Sequence, residues 1–198
     1  MKWLPAPVYR RLIALVFIAI NHHAAWADLL PVPALASRVI DQTATLTANE
    51  QLQLVQQIAQ LEAETGAQLA ILMVPSTATE DIASYGKRVA NTWKLGRAQA
   101  GDGVLIVVAK NDRRMRIEVA RTLEPQISDQ RAARIIDEQM KPAFRDNRFA
   151  AGLEAAVVQL GAAIRQAPAV APERKRIRPA PSRPGLQAIY LAGRGCAA

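Results

Sequence analysis

The apolar positions of this chain fall into short unbroken runs and longer helical stripes. Val104–Ala109 is an unbroken apolar run, bounded by Gly103 and by Lys110-Asn111-Asp112-Arg113. That is the pattern of a strand buried on both faces. The period then becomes two: Met115, Ile117 and Val119 point one way, Arg114, Arg116 and Glu118 the other. This predicts a half-buried strand returning antiparallel beside the first through a tight Asn-Asp turn. Gln68–Val74, closed by Pro75, predicts a second buried strand, and Arg38-Val39-Ile40 a short edge strand ending at Asp41.

Helical spacing fills the intervals. Thr47-Ala48-Asn49-Glu50 is a capping box ahead of Leu52, Val55, Ile58 and Leu61, with Gly66 as the stop. Ile82, Tyr85, Val89 and Trp93 form the next stripe, ended by Gly96; Trp93 reads as a core residue. Ala120–Ser128 reads as a loop. Ser128 then caps a helix carrying Ala132, Ile135, Ile136 and Met140, stopped at Pro142, with Phe144 in the connection. Asn147 is the expected cap of a last helix carrying Phe149, Leu153, Val157, Leu160 and Ile164. Strands alternating with helices predict an α/β fold, a three-layer α/β/α sandwich with a central mixed β-sheet containing a hairpin.

The ends of the chain read differently. In residues 1–27, Lys2, Arg10 and Arg11 precede the apolar run Leu12–Ile20, and Ala25-Trp26-Ala27 fits a small-x-small cleavage site. This is the pattern of a secretory signal peptide, with an α/β domain over 28–166. A periplasmic or exported location follows, tethered to the inner membrane if the leader is retained. Residues 167–198 are rich in Pro and Arg and read as a basic, disordered tail, Leu186–Leu191 being a small apolar exception.

Charge and inventory narrow the function. The net charge of +8 is concentrated in the leader and tail, leaving Asp28–Ile164 at about −1. The domain is therefore not a nucleic-acid surface. The tail, with Arg174–Arg178, suits contact with an anionic membrane surface or an acidic partner, or else serves solubility alone. The lone cysteine is Cys196, and both histidines, His22 and His23, lie in the leader. Nucleophilic sites built on histidine and imidazole metal sites are excluded from the mature chain. Carboxylates, hydroxyls and cationic side chains remain, a set that suits oxygen-bound Ca²⁺ or Mg²⁺ and no organic cofactor.

The order of motifs resembles the TPM domain family. Those motifs are Val39-x-Asp41…Leu46-Thr47-x-x-Glu50, Thr65-Gly66-Ala67-Gln68-Leu69-Ala70, Trp93-Lys94-Leu95-Gly96, Asp102-Gly103-Val104-Leu105 and Arg116-Ile117-Glu118-Val119…Leu123-Glu124. The resemblance covers about Pro33–Ile164. The family includes YgcG-type bacterial envelope proteins and a thylakoid-lumen protein linked to photosystem repair. It implies an α/β/α fold on the non-cytoplasmic side of a membrane, binding of Ca²⁺-type cations and, from a plant member, weak acid phosphatase activity. Many bacterial members carry a later membrane span and a Gly-rich tail; this chain has a Pro/Arg tail instead. Where the family often reads Glu-Val-Gly-x-Gly-Leu-Glu, this chain has Ala120 and Thr122 in place of both glycines, which narrows the backbone conformations open to that loop.

Four carboxylates are the candidate metal ligands: Asp41, Asp102, Glu124 and Asp129. Each stands at a predicted strand end or in a loop beside one, where ligands collect in α/β sheets. Converging carboxylates repel, so a shared site favours a bound cation. The alternative is that each caps a turn or a helix start. Arg113, Arg114 and Arg116 suit an anionic group such as a phosphate, or else form a solvated strand face. Three functions follow. One is a monomeric, exported accessory and binding module holding a divalent cation such as calcium. The second is a metal-dependent acid phosphatase resting on Asp41 and Asp102. The third is an interaction scaffold whose partner is another envelope protein.

Overall fold

Side chains alternate strictly along the two central strands, and this alternation splits the core in two. The computed structural model describes residues 29–96 and 101–166. The expected leader and the Pro/Arg tail lie outside the described residues. The strands are β1 (Val39–Asp41), β2 (Gln68–Val74), β3 (Gly103–Ala109) and β4 (Arg114–Val119). The helices are α1 (Ala48–Thr65), α2 (Ile82–Trp93), α3 (Asp129–Ile135), α4 (Lys141–Arg145) and α5 (Phe149–Arg165). The sheet has four strands in the order β1-β2-β3-β4. The first three run parallel, and β4 returns antiparallel to β3.

Leu69, Ile71 and Met73 of β2 and Val104, Ile106 and Val108 of β3 face α1, α3 and α5. Ala70, Leu72, Val74, Leu105, Val107 and Ala109 face α2. The molecule is thus the expected α/β/α sandwich. Its two parallel crossovers step the same way across the sheet, yet α1 and α2 cover opposite faces. The two connections therefore have opposite hands, a departure from the right-handed rule. Residues 29–37 form a lead-in without helix or strand. It is pinned by hydrogen bonds that Trp93 Nε1 donates to the Pro33 carbonyl (2.7 Å) and Arg88 donates to the Leu30 carbonyl (2.8 Å). Trp93 is accordingly only partly buried, at the rim of the second core.

Helix starts follow the expected chemistry. Thr47 and Glu50 form the reciprocal capping box, and Gly66 closes α1 in the left-handed region at φ 77°. Other details differ. Leu54, not Leu52, joins Ile58 and Leu61 in the core; Leu52 is 55% exposed. Leu54→Ala is expected to cost about 3 kcal/mol, whereas Leu52→Ala stays within about 0.5 kcal/mol, read from urea midpoints. Lys94, at φ 51°, caps α2, with Gly96 in the turn beyond. Pro142 does not stop the helix after α3. A π-helical segment, Ile136–Met140, widens the turn ahead of it, and α4 takes Pro142 into its first turn, where its missing N–H leaves no gap. Phe144 therefore lies in a helix, packed against Phe149 with ring centroids 4.8 Å apart and ring planes tilted by 44°. Asn147 does not cap α5: Arg148 is the N-cap, and Asn147 makes the left-handed turn before it at φ 59°. Buried Leu123 and Ile127 anchor the loop after β4.

Candidate functional site

The polarity of the sheet decides which candidate residues can meet. Asp41 is the last residue of β1, at the edge where the parallel strands end. Asp102 precedes β3, at the edge where they begin. Register aligns Asp41 with Met73 and Met73 with Val108. Asp41 and Asp102 are therefore about 20 Å apart along the strands. No phosphatase centre can use both at once, so the phosphatase reading built on this pair loses its geometry.

Asp41 serves its own loop. Its carboxylate accepts from the amides of Thr43 (2.7 Å), Thr45 (2.7 Å) and Leu46 (2.8 Å), and from the Thr43 hydroxyl. Burial raises its pKa, but these hydrogen bonds together outweigh burial and leave it lowered. Both oxygens are engaged within the loop, so Asp41 caps its own turn.

The other three candidates gather at the opposite edge. Asp102 is buried, 3% exposed. Its carbonyl accepts from the Gln68 amide (3.0 Å), and the Gln68 side chain in turn accepts from the Gly96 amide (3.0 Å). Thr122 Oγ1 donates to the Gly101 carbonyl (2.8 Å), tying the loop after β4 to the start of β3. Two backbones touch here. A Cβ on Gly103 would lie 2.5 Å from the Leu95 carbonyl, and one on Gly96, which stands at φ +97°, would lie 2.7 Å from the Gly103 nitrogen. The Leu95-Gly96 and Asp102-Gly103 motifs are thus one packing contact.

Beside this contact α2, β4 and the start of α3 enclose a cleft of about 710 Å³. Glu118, Glu124 and Asp129 line it, together with Lys87 and Arg116. Arg116 Nε donates to Glu118 Oε1 (2.8 Å), and its Nη2 stands 3.6 Å from Asp129 Oδ1. Glu118 was missed as a ligand candidate, although the two-residue period already set it on the polar face of β4. The donors are carboxylate oxygens, the type a hard cation prefers. They are spread along the cleft: among the described residues no three Asp, Glu, His or Cys side chains converge closely enough to hold a metal ion.

A family model described as the TPM domain matches residues 39–163. The fold is shared with solved bacterial domains. The N-terminal domain of a protein from P. gingivalis superposes with a TM-score of 0.61 at 24% identity, covering 67% of this chain and 88% of that one. The N-terminal domain of the Corynebacterium glutamicum protein cg2496 gives 0.53 at 12% identity, covering 72% and 89%. The BA42 protein of the psychrophilic bacterium Bizionia argentinensis gives 0.53 at 24%, covering 60% and 81%. No curated protein matches the chain.

Proposed function

Because the chain belongs to the TPM-domain family, we propose that it acts as an exported binding module of the cell envelope, taking a divalent cation such as calcium or magnesium in its acidic cleft. The observation that carries this reading is that Glu118, Glu124 and Asp129 line one cleft. Glu124 and Asp129 would hold the ion, with water completing its oxygen shell. Glu118 would join them as Arg116 is displaced. Arg116, bonded to Glu118 and near Asp129, offsets their charge. The leader pattern of residues 1–27 supports export. No helix among the described residues is long and apolar enough to cross a membrane.

The test is thermal unfolding of the full mature chain after chelation, with and without millimolar Ca²⁺ or Mg²⁺. Binding to the folded state at a hundredfold excess over Kd adds about 2.7 kcal/mol, a rise of roughly 5–10 °C. The rise is expected to vanish in the double variant Glu124→Gln, Asp129→Asn. It should persist in Asp41→Ala, whose melting point is lower with and without the ion. No shift with either cation would overturn the reading and leave a protein partner as the ligand of this cleft.

A further inference from the structure

At the other edge of the sheet, where the parallel strands end, lies a second cleft of about 820 Å³. Lys110, Arg113 and Arg114 from the β3–β4 turn line one side, and Lys141 and Arg145 from α4 line the other. Among the described residues no Asp or Glu lines it. Of the nearby acids, Asp137 pairs with Lys141. Asp112, whose charge acts on Arg114, is held by Ser76 Oγ (2.8 Å) and the Thr77 amide (2.8 Å), from which it accepts. Arg113, Arg114 and Arg145 make no ion pair among the described residues. Like charges held around one concavity repel, and an anion relieves that repulsion.

The cleft is also built. Lys110 is held by a hydrogen bond from Nζ to Thr45 Oγ1 (2.8 Å) and lies 5.3 Å from the centre of the Phe149 ring. Phe144 and Phe149 line the apolar part of its wall. Arg113, at φ 51°, and Asn147, at φ 59°, both stand in the left-handed region. The π-helical segment ends directly before Lys141. Sparsely populated backbone and π-turns of this kind concentrate at functional sites.

We propose that this cleft binds an organic ligand bearing two or more phosphate groups. Cations on two separate elements call for anionic groups at two positions, and guanidinium groups match phosphate oxygens in pairs. The phenylalanines would take the apolar body between them. The proposal does not rest on the cation reading: the two clefts share no lining residue, and a separate groove between them brings Asp129 and Asp137 beside Arg113 and Arg114.

The experiment titrates the full mature chain with inorganic pyrophosphate in chelator-treated buffer at about 0.05 M salt, so that screening is weak. The double variant Arg113→Asn, Arg145→Gln changes exposed residues only, and asparagine tolerates the left-handed backbone at position 113. Its melting point should match or exceed that of the wild type. Its affinity should fall about tenfold or more, the loss of two charge-assisted contacts. Equal affinity in the variant would assign binding to another surface, such as the basic tail, and overturn the proposal. So would absence of pyrophosphate binding by the wild type. Vesicles of phosphatidylcholine with phosphatidylglycerol separate the sources. Vesicle binding that pyrophosphate displaces and the variant loses identifies the ligand as a lipid headgroup. Pyrophosphate binding without it identifies a soluble phosphate compound.

Discussion

Gly103→Ala is expected to cost about 3 kcal/mol or more, at the upper end for overpacking, because its new methyl group would meet only backbone. The methyl would sit 2.5 Å from the carbonyl carbon and oxygen of Leu95 and 2.8 Å from the Gly96 nitrogen. A flexible side chain could swing aside, but these atoms are fixed. Gly96 is held by the hydrogen bond its N–H donates to Gln68 Oε1 and by its own positive φ, and Gly103 begins the most deeply buried strand. The urea midpoint should fall with no change in slope. Gly101→Ala is the control. At φ +60° it incurs left-handed strain of about 1 kcal/mol, but its nearest neighbour, Thr122 Cγ2, is 3.7 Å away. If Gly103→Ala were no more damaging than Gly101→Ala, the close backbone contact would be refuted.

Asp41→Ala is expected to cost about 3 kcal/mol, because it strips the shared acceptor from three backbone amides and a hydroxyl in a partly buried loop. The pH dependence has a definite sign. Burial pushes the Asp41 carboxyl up, but its hydrogen bonds leave it below the ordinary value of 3.8. A carboxyl depressed in the folded state stabilises fully above its unfolded pKa, and that stability is lost as pH falls through the folded one. Asp112 shifts the same way, held down chiefly by the Thr77 amide and then by the Ser76 hydroxyl. Wild-type urea midpoints should therefore be flat near neutrality and drop below about pH 4. The drop should be shallower in Asp41→Ala. An Asp41→Ala protein as stable as wild type would remove the loop-capping role.

Much of this architecture was legible because burial on two faces leaves an unmistakable run of apolar residues. The runs at Gln68–Val74 and Val104–Ala109 became β2 and β3, and Thr47…Glu50 became the cap of α1. Helical phase was less legible. Leu52 and Leu54 are equally apolar, and only the packing of α1 on α5 and the sheet chose Leu54. Pro142 read as a stop because the rule assumes a regular α-turn, and the π-helical segment changes that turn. The candidate site failed on direction. Strand–helix–strand alternation implies parallel strands, so a residue after one strand and a residue before another lie at opposite edges. That argument, available from the sequence, separates Asp41 from Asp102. The basic cleft was half legible: Arg113 and Arg114 stood out, but Lys141 and Arg145 join them only once α4 folds back.

The place of β4 at the rim of the sheet bears on how the protein behaves when concentrated. One side of its backbone has no strand partner among the described residues, and such an edge is a template for the strand of another copy. Arg114, Arg116 and Glu118 occupy alternate positions there, each partly or fully exposed to water. A second chain adding at this edge would have to strip water from these charges. The charges that shape both clefts thus also guard the sheet against runaway polymerisation.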